Sequence, residues 1–276
     1  MKKVLVILLL AVMLVSVCAC SYVPSTRFLS RSRLNSLVKE YGTPQAELTI
    51  KYTLNNDDYE IKVTYNLLLS QTPLAVIRFI QLANEGAYND TVIDTFNSTY
   101  NYMIMGRYIY KDSVVSEGKK NWYVNNALDV TFKGEFKSNG YSEPKEGYTK
   151  FKNFSLAMFH DESTAEDNNF DTANGTLILA VDSNTLNSNN YAVFAELASM
   201  TYTVNGGKPT TRVGKADTNI CENLKTFKRG IGTRTVYTDE TETDTIPSFT
   251  MMSQIVTIQV KILGDHDWSK LPRIGK

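Results

Sequence analysis

Two runs near the start of the chain, AELTIKYTL (46–54) and DYEIKVTYNL (58–67), alternate apolar and polar side chains with a period of two. That period sends successive side chains to opposite faces of an extended strand, so each run must bury one face and expose the other. Asn55-Asn56-Asp57 between them is turn chemistry, which makes the pair a hairpin. Strand-like runs recur along the chain: NYMIMGRYIY, ALDVTF, FSLAMF, GTLILAV, YAVFAEL and SQIVTIQVKIL (253–263). Asn205-Gly206 adds a second hairpin turn signal. With 16 Tyr and 12 Phe in 276 residues, aromatic usage also suits a half-buried pleated surface.

One strong helix signal stands among these strands, TPLAVIRFIQLANEG (72–86). Thr72 is a natural N-cap, Pro73 suits the first helical position and Gly86 the stop. Val76, Phe79, Ile80 and Ala83 form one apolar stripe that faces a core. A shorter amphipathic helix is expected around Leu34, Leu37 and Val38, ended by Gly42, and another after Asp217 carrying Ile220, Leu224 and Phe227. Many strands and few helices imply a mainly β fold. A closed antiparallel β-barrel of about eight strands, capped by helices, fits best because closure removes exposed strand edges. TDETETDT (238–245) reads as an acidic solvated loop, and residues 264–276 read as a polar tail. No internal repeat or long linker divides the chain.

At the N-terminus Lys2 and Lys3 precede an apolar run and then Cys18-Ala19-Cys20. This is secretory-signal architecture, and Val17-Cys18-Ala19-Cys20 resembles the lipobox of bacterial lipoproteins. The resemblance implies removal of residues 1–19, lipidation of Cys20, and residence on the extracytoplasmic face of a bacterial cell membrane, with residues 20–45 as lipidated Cys, tether and helix. An ordinary cleaved signal or an uncleaved anchor are the alternatives. Cys221 is then alone, so neither a disulfide framework nor a Cys/His metal spacing is expected. The formal net charge of zero supplies no basic stripe for nucleic acid.

Further motifs occur in a telling order. TPLAVIRFIQLANEGAYNDT (72–91) resembles the cyclophilin helix that runs into an "EG-x-Y-x-x-T" turn, and NYMIMG (101–106) resembles that family's "N-F-M-I-Q-G" strand. GEF with SNG (134–140), SLAM (155–158), Leu186 with YAVF (191–194), and IVTIQVKI are similar to later family segments. The resemblance covers roughly residues 46–263, with an insertion around 199–250. It implies a cyclophilin-like barrel that catalyses peptidyl-prolyl cis-trans isomerisation without metal or cofactor. The barrier, about 18–20 kcal/mol, reflects partial double-bond character in the peptide C–N bond. Cyclophilins lower it with an apolar pocket that grips the proline ring and an Arg that donates to the prolyl nitrogen, so catalysis is differential binding of a twisted amide.

Carried over by position, the resemblance implies that Tyr102, Met103, Ile178, Leu186 and Tyr191 line the proline pocket. It also implies that the Phe159–His160 backbone pairs with substrate. The polar half departs from the pattern. The family "F-H-R-V-I" strand falls on VIDTFNSTY, where the Arg position is Thr95 in one register and Asn97 in another. Met105 and Thr176 stand where the family has Gln. A neutral donor is weaker than a charged one, so weakened activity is expected. Arg107 is a candidate substitute, because period-two geometry points it the same way as Met103 and Met105. The two histidines, His160 and His266, lack the further ligands or nucleophile that a metal or hydrolytic site needs.

Three functions fit these residues. The first is a membrane-anchored isomerase assisting the folding of exported proteins, with their Pro-containing segments as partners. The second is a non-catalytic binding module or chaperone for such segments. The third is a cell-surface interaction scaffold. The oligomeric state is not encoded in any motif.

Overall fold

The computed structural model describes residues 22–24, 27–110, 122–144, 147–160, 171–182, 186–227, 233–237, 242–247 and 256–274. The elements begin with β1 (Tyr22–Val23), α1 (Arg31–Tyr41), β2 (Gln45–Leu54), β3 (Asp57–Leu67), α2 (Pro73–Asn84), β4 (Thr91–Asn97) and β5 (Tyr102–Tyr110). They continue with β6 (Trp122–Val124), β7 (Leu156–Met158), β8 (Leu177–Ala180), β9 (Val193–Val204), β10 (Thr210–Val213) and α3 (Thr218–Lys225). The last are β11 (Thr233–Tyr237), β12 (Glu242–Pro247), β13 (Thr257–Leu263) and β14 (Arg273–Ile274).

The expected hairpin is β2–β3. Asn55 and Asn56 both take left-handed φ (54° and 68°), the geometry of a turn whose twist matches the strands. Ala46, Leu48 and Ile50 of β2 and Ile61, Val63, Tyr65 and Leu67 of β3 all point into one core. From β5 the sheet runs through β4, β13, β2, β3, β9, β7 and β8, and β8 pairs back onto β5. The result is a ring of eight antiparallel strands, the mainly β architecture expected, with β6, β10, β11 and β12 extending the sheet.

Helix α2 is buried on more than one stripe: Leu74, Ala75, Ile77 and Leu82 are enclosed along with Val76, Phe79 and Ile80. Its N-terminus also differs from expectation. The Thr72 hydroxyl donates to the Val193 carbonyl at 3.3 Å and makes no cap bond. Instead the Ala75 N–H donates to Glu135 Oε2 at 3.1 Å, so a carboxylate from a distant loop satisfies the helix end. Burial, set against these backbone donors, pushes the Glu135 carboxyl up to about 8. Ser30 caps α1 and Asp217 caps α3, each through its side chain.

The termini depart from the sequence reading. Tyr22–Val23 pairs in parallel with Arg273–Ile274, and Val23, Leu271 and Ile274 enter the core. Residues of the expected tether and polar tail therefore pack together, with Trp268 stacked on Tyr41 at 5.2 Å. Strand β12 (Glu242–Pro247), which takes in the last four residues of the expected acidic loop 238–245, pairs with β11. Parts of residues 199–250, the expected insertion, join the ring and its core. β9 stays on β3 through Val204, and Ile220, Cys221, Leu224 and Phe227 pack in the core. The expected leader, residues 1–19, and Cys20 lie outside the described residues. Among the described residues no helix is long and apolar enough to cross a membrane.

Candidate functional site

Strand β5 divides its side chains between two environments. Met103 and Met105 point into the ring and are fully buried in the main core. Tyr102 and Ile104 point outward, as the pleat requires of their alternate positions. There they join a second apolar cluster on the outer wall, built with Ala157 of β7, Ile178 and Ala180 of β8, and Phe151, Tyr191 and Val193. Strand pairing sets the contacts: Ile104 lies opposite Ile178, Tyr102 opposite Ala180, and Ile178 opposite Ala157. Phe159 and Leu186 pack against this cluster and stay partly exposed, so they form its rim.

A polar group borders the same wall, and two breaks in strand register create it. Between Ile93 and Thr95, β4 carries one residue more than β5, and that residue is Asp94. Between Thr91 and Ile93, β5 carries the surplus, at Gly106 and its neighbours. Such bulges re-aim side chains. Gly106 adopts φ +97°, and a Cβ there would meet Leu128 Cδ1 at 3.1 Å. The Asn125 side chain donates to the Gly106 carbonyl (2.8 Å), and its backbone N–H donates to the Arg107 carbonyl (2.8 Å). Arg107 consequently does not follow Met103 and Met105 inward, which corrects the simple alternation expected from sequence. Its guanidinium binds the fully buried Asp94 carboxylate through Nε (3.3 Å) and Nη2, and Nη2 also donates to the Thr95 hydroxyl at 2.9 Å. The same guanidinium carbon lies 6.0 Å from the centre of the Phe159 ring and 5.7 Å from that of Tyr108. Cation and apolar rim are therefore neighbours.

Two donors on one carboxylate is the geometry of an ionised fork. Burial alone would lower the Arg107 pKa, but the Asp94 carboxylate raises it overall. Burial pushes the Asp94 carboxyl up, against the pull of Arg107 and the Thr95 hydroxyl. The Arg107 side chain as a whole keeps 33% of its surface exposed while its guanidinium is anchored on Asp94.

The profile of the family "Cyclophilin type peptidyl-prolyl cis-trans isomerase/CLD" matches residues 51–219, more than half of the chain. This chain belongs to the cyclophilin family. Among solved structures, a cyclophilin-type isomerase of Cryptosporidium parvum, crystallised in the presence of the dipeptide Ala-Pro, is 12% identical. It aligns over 79% of this chain and 99% of its own, with a TM-score of 0.42. The mimivirus cyclophilin is 14% identical over 81% of this chain and 90% of its own, with a TM-score of 0.37. A cyclophilin from Hirschia baltica is 9% identical over 84% of this chain and 99% of its own, with a TM-score of 0.29. Comparison with curated proteins finds no match.

Within this cyclophilin domain, Tyr102, Phe159, Ile178, Leu186 and Tyr191 come together on the outer wall. Met103 does not: it lies on the opposite face of β5, because adjacent strand residues cannot share a face. Ile104 and Ala180 take part although sequence reasoning passed over them. They stand two residues from Tyr102 and Ile178, and the strand period alone would have found them. Phe151 carried no such signal.

His160 is buried. Its Nε2 lies 2.8 Å from the Asn190 carbonyl, so that nitrogen carries the proton, and its ring packs on Phe136 and Tyr191. The Phe159 N–H donates to the Thr176 carbonyl (2.9 Å), and its carbonyl accepts from the Asn174 N–H (3.1 Å). The Phe159 backbone, expected to meet substrate, is thus already paired within the domain. Asn97 is occupied too. Its Oδ1 accepts from the Thr99 and Tyr100 N–H groups in a local turn, while Nδ2 donates to the Tyr102 hydroxyl at 3.3 Å. Thr95 lies directly beside Arg107. In the register that places the family Arg at Thr95, a guanidinium is therefore present, delivered by the neighbouring strand.

Proposed function

We propose that this protein is a membrane-anchored, extracytoplasmic peptidyl-prolyl cis-trans isomerase that acts on Pro-containing segments of exported proteins, with Arg107 as its donor. One observation carries the reading: the Arg107 guanidinium meets Thr95 at 2.9 Å and lies 6.0 Å from the Phe159 ring at the rim of the apolar wall. A proline ring entering between Phe159 and Leu186 would reach the slightly exposed Tyr102 and Ile104, while Ile178 is fully buried in the same cluster. A cation at that rim then stabilises the lone pair that develops on the prolyl nitrogen as the amide twists. Nothing in this scheme calls for a metal or cofactor. The ion pair with Asp94 partly neutralises the charge, so activity below that of an unpaired guanidinium held in the same direction is expected.

The anchor is Cys20. Because Tyr22 already pairs with Arg273, an anchor there leaves at most about 7 Å of chain before the folded domain. The domain would then sit close to the membrane surface. Cys20→Ala is expected to move the protein from the membrane fraction to the soluble one.

The Asp94 ion pair also supports a second reading, a binding module that holds proline segments without turnover. NMR exchange spectroscopy on an X-Pro peptide separates the two. Line broadening with cis/trans exchange supports the isomerase, whereas binding shifts without exchange support the binding module.

A further inference from the structure

We infer that Asp94 is the positioning residue of this site: it holds Arg107 by one edge so that the other edge, Nη1, is the donor that meets the prolyl nitrogen. The inference rests on the reading of Arg107 as the donor. Three features of the fold support it. The Asp94 carboxylate is fully buried, yet it lies in a strand whose neighbours Ile93 and Phe96 pack in the apolar core. A buried carboxylate is costly unless it is paired. The structure pairs it with Arg107 Nε and Nη2, and the Thr95 hydroxyl donates to its Oδ1 at 2.8 Å.

The backbone is also shaped for this contact. The surplus residue of β4 and the surplus of β5 flank the Ile93–Met105 pair, one on each side, and Asp94 and Arg107 stand at these two breaks. Both irregularities are confined to the β4–β5 side, since β5 pairs regularly with β8 from Tyr102 to Met105. Finally, the hydrogen bonds that Arg107 makes to described residues use only Nε and Nη2. A guanidinium held along one edge is rigid, and it presents its remaining nitrogen in a fixed direction. A lysine ammonium also has several N–H donors, but it lacks the planar fork that holds one edge on Asp94 and fixes the direction of the other.

The test compares wild type, Asp94→Asn, Arg107→Ala, Arg107→Lys and the double variant Asp94→Asn/Arg107→Ala, on an X-Pro tetrapeptide, with kcat and KM separated. Asp94→Asn is expected to lower kcat by about tenfold, the loss of one charge-assisted contact, with KM nearly unchanged. In the Arg107→Ala background it should cost nothing further, because Asp94 acts only through the guanidinium. Arg107→Lys should be as slow as Arg107→Ala. A folded Asp94→Asn with the wild-type rate overturns the inference, and so does an additive loss in the double variant.

Failure of the underlying reading looks different: Arg107→Ala would keep the full rate, or the wild type would show none. The Arg107 Nε–H resonance reports positioning whatever the turnover. It should be shifted and protected from exchange in the wild type and lose both properties in Asp94→Asn. An unchanged resonance counts against the role of Asp94. Thermal denaturation checks that each variant is folded.

Discussion

The β2–β3 hairpin and the β4–β5 seam belong to one ring yet are built by different rules. The hairpin keeps ten residue pairs in unbroken register, from Gln45 opposite Asn66 to Leu54 opposite Asp57. Its alternation is complete, its inward side chains are apolar, and its charges stay on the outer face, as Lys51 and Glu60 do. The seam shifts register twice within seven residues of β4. That irregularity admits a carboxylate to the interior and turns an arginine toward the outer wall. Regular pairing gives the barrel its stability. Broken pairing spends some of that stability to place a charge where uniform alternation would put a core residue.

This contrast can be broken at several points, and the largest effect is expected in the hairpin. Ile61→Ala removes a fully buried side chain from the regular wall and should destabilise the fold by about 2–5 kcal/mol. Urea denaturation should show the loss while the rate per folded molecule holds. Gly106→Ala strikes the seam instead. It imposes a Cβ at φ +97° and 3.1 Å from Leu128, at a cost of about 1–3 kcal/mol. Here peptide turnover should fall along with stability, because the kink aims Arg107. A Gly106→Ala protein that is destabilised but fully active would separate the kink from the site.

Glu135, outside both regions, serves as a control. Burial raises its carboxyl to about 8 in the folded domain, above its ordinary value of 4.5. The native state therefore holds a proton that the unfolded chain releases. Stability from this group is full below pH 4.5, falls as pH rises toward 8, and then levels. Glu135→Gln should flatten the dependence of Tm on pH between 5 and 9 and leave the wall and seam intact. A slope unchanged by the substitution would assign the titration elsewhere. The smallest effect belongs to the exposed pair Lys51–Glu60 on the hairpin, 3.0 Å apart. Glu60→Gln should cost less than about 1 kcal/mol and vanish at high salt.

Local signals made the regular part of the fold legible in the sequence. The hairpin followed from period-two alternation with Asn55-Asn56, and helix α2 followed from Pro73 and its apolar spacing. Family resemblance gathered Tyr102, Phe159, Ile178, Leu186 and Tyr191, which the ring does assemble on one wall. What stayed hidden depends on distant pairing. No local pattern announces that Tyr22 will pair with Arg273, or that Glu135 will close the end of α2. The position of Arg107 depends on two register shifts and on Asn125, so counting alternate residues from Met103 could not find it. One clue was present: a lone carboxylate, Asp94, within the strand-like run Val92–Phe96, between Ile93 and Phe96.

The central claim is that a guanidinium from β5 does the work of the absent family Arg. Its most direct test is the isomerisation rate of an X-Pro peptide, measured by NMR exchange with wild type and with Arg107→Ala, folding of the variant having been verified. The account predicts a measurable wild-type rate that falls by tenfold or more, about 1.4 kcal/mol of transition-state stabilisation, when Arg107 is removed. A folded Arg107→Ala protein that turns over the peptide as fast as wild type would contradict it.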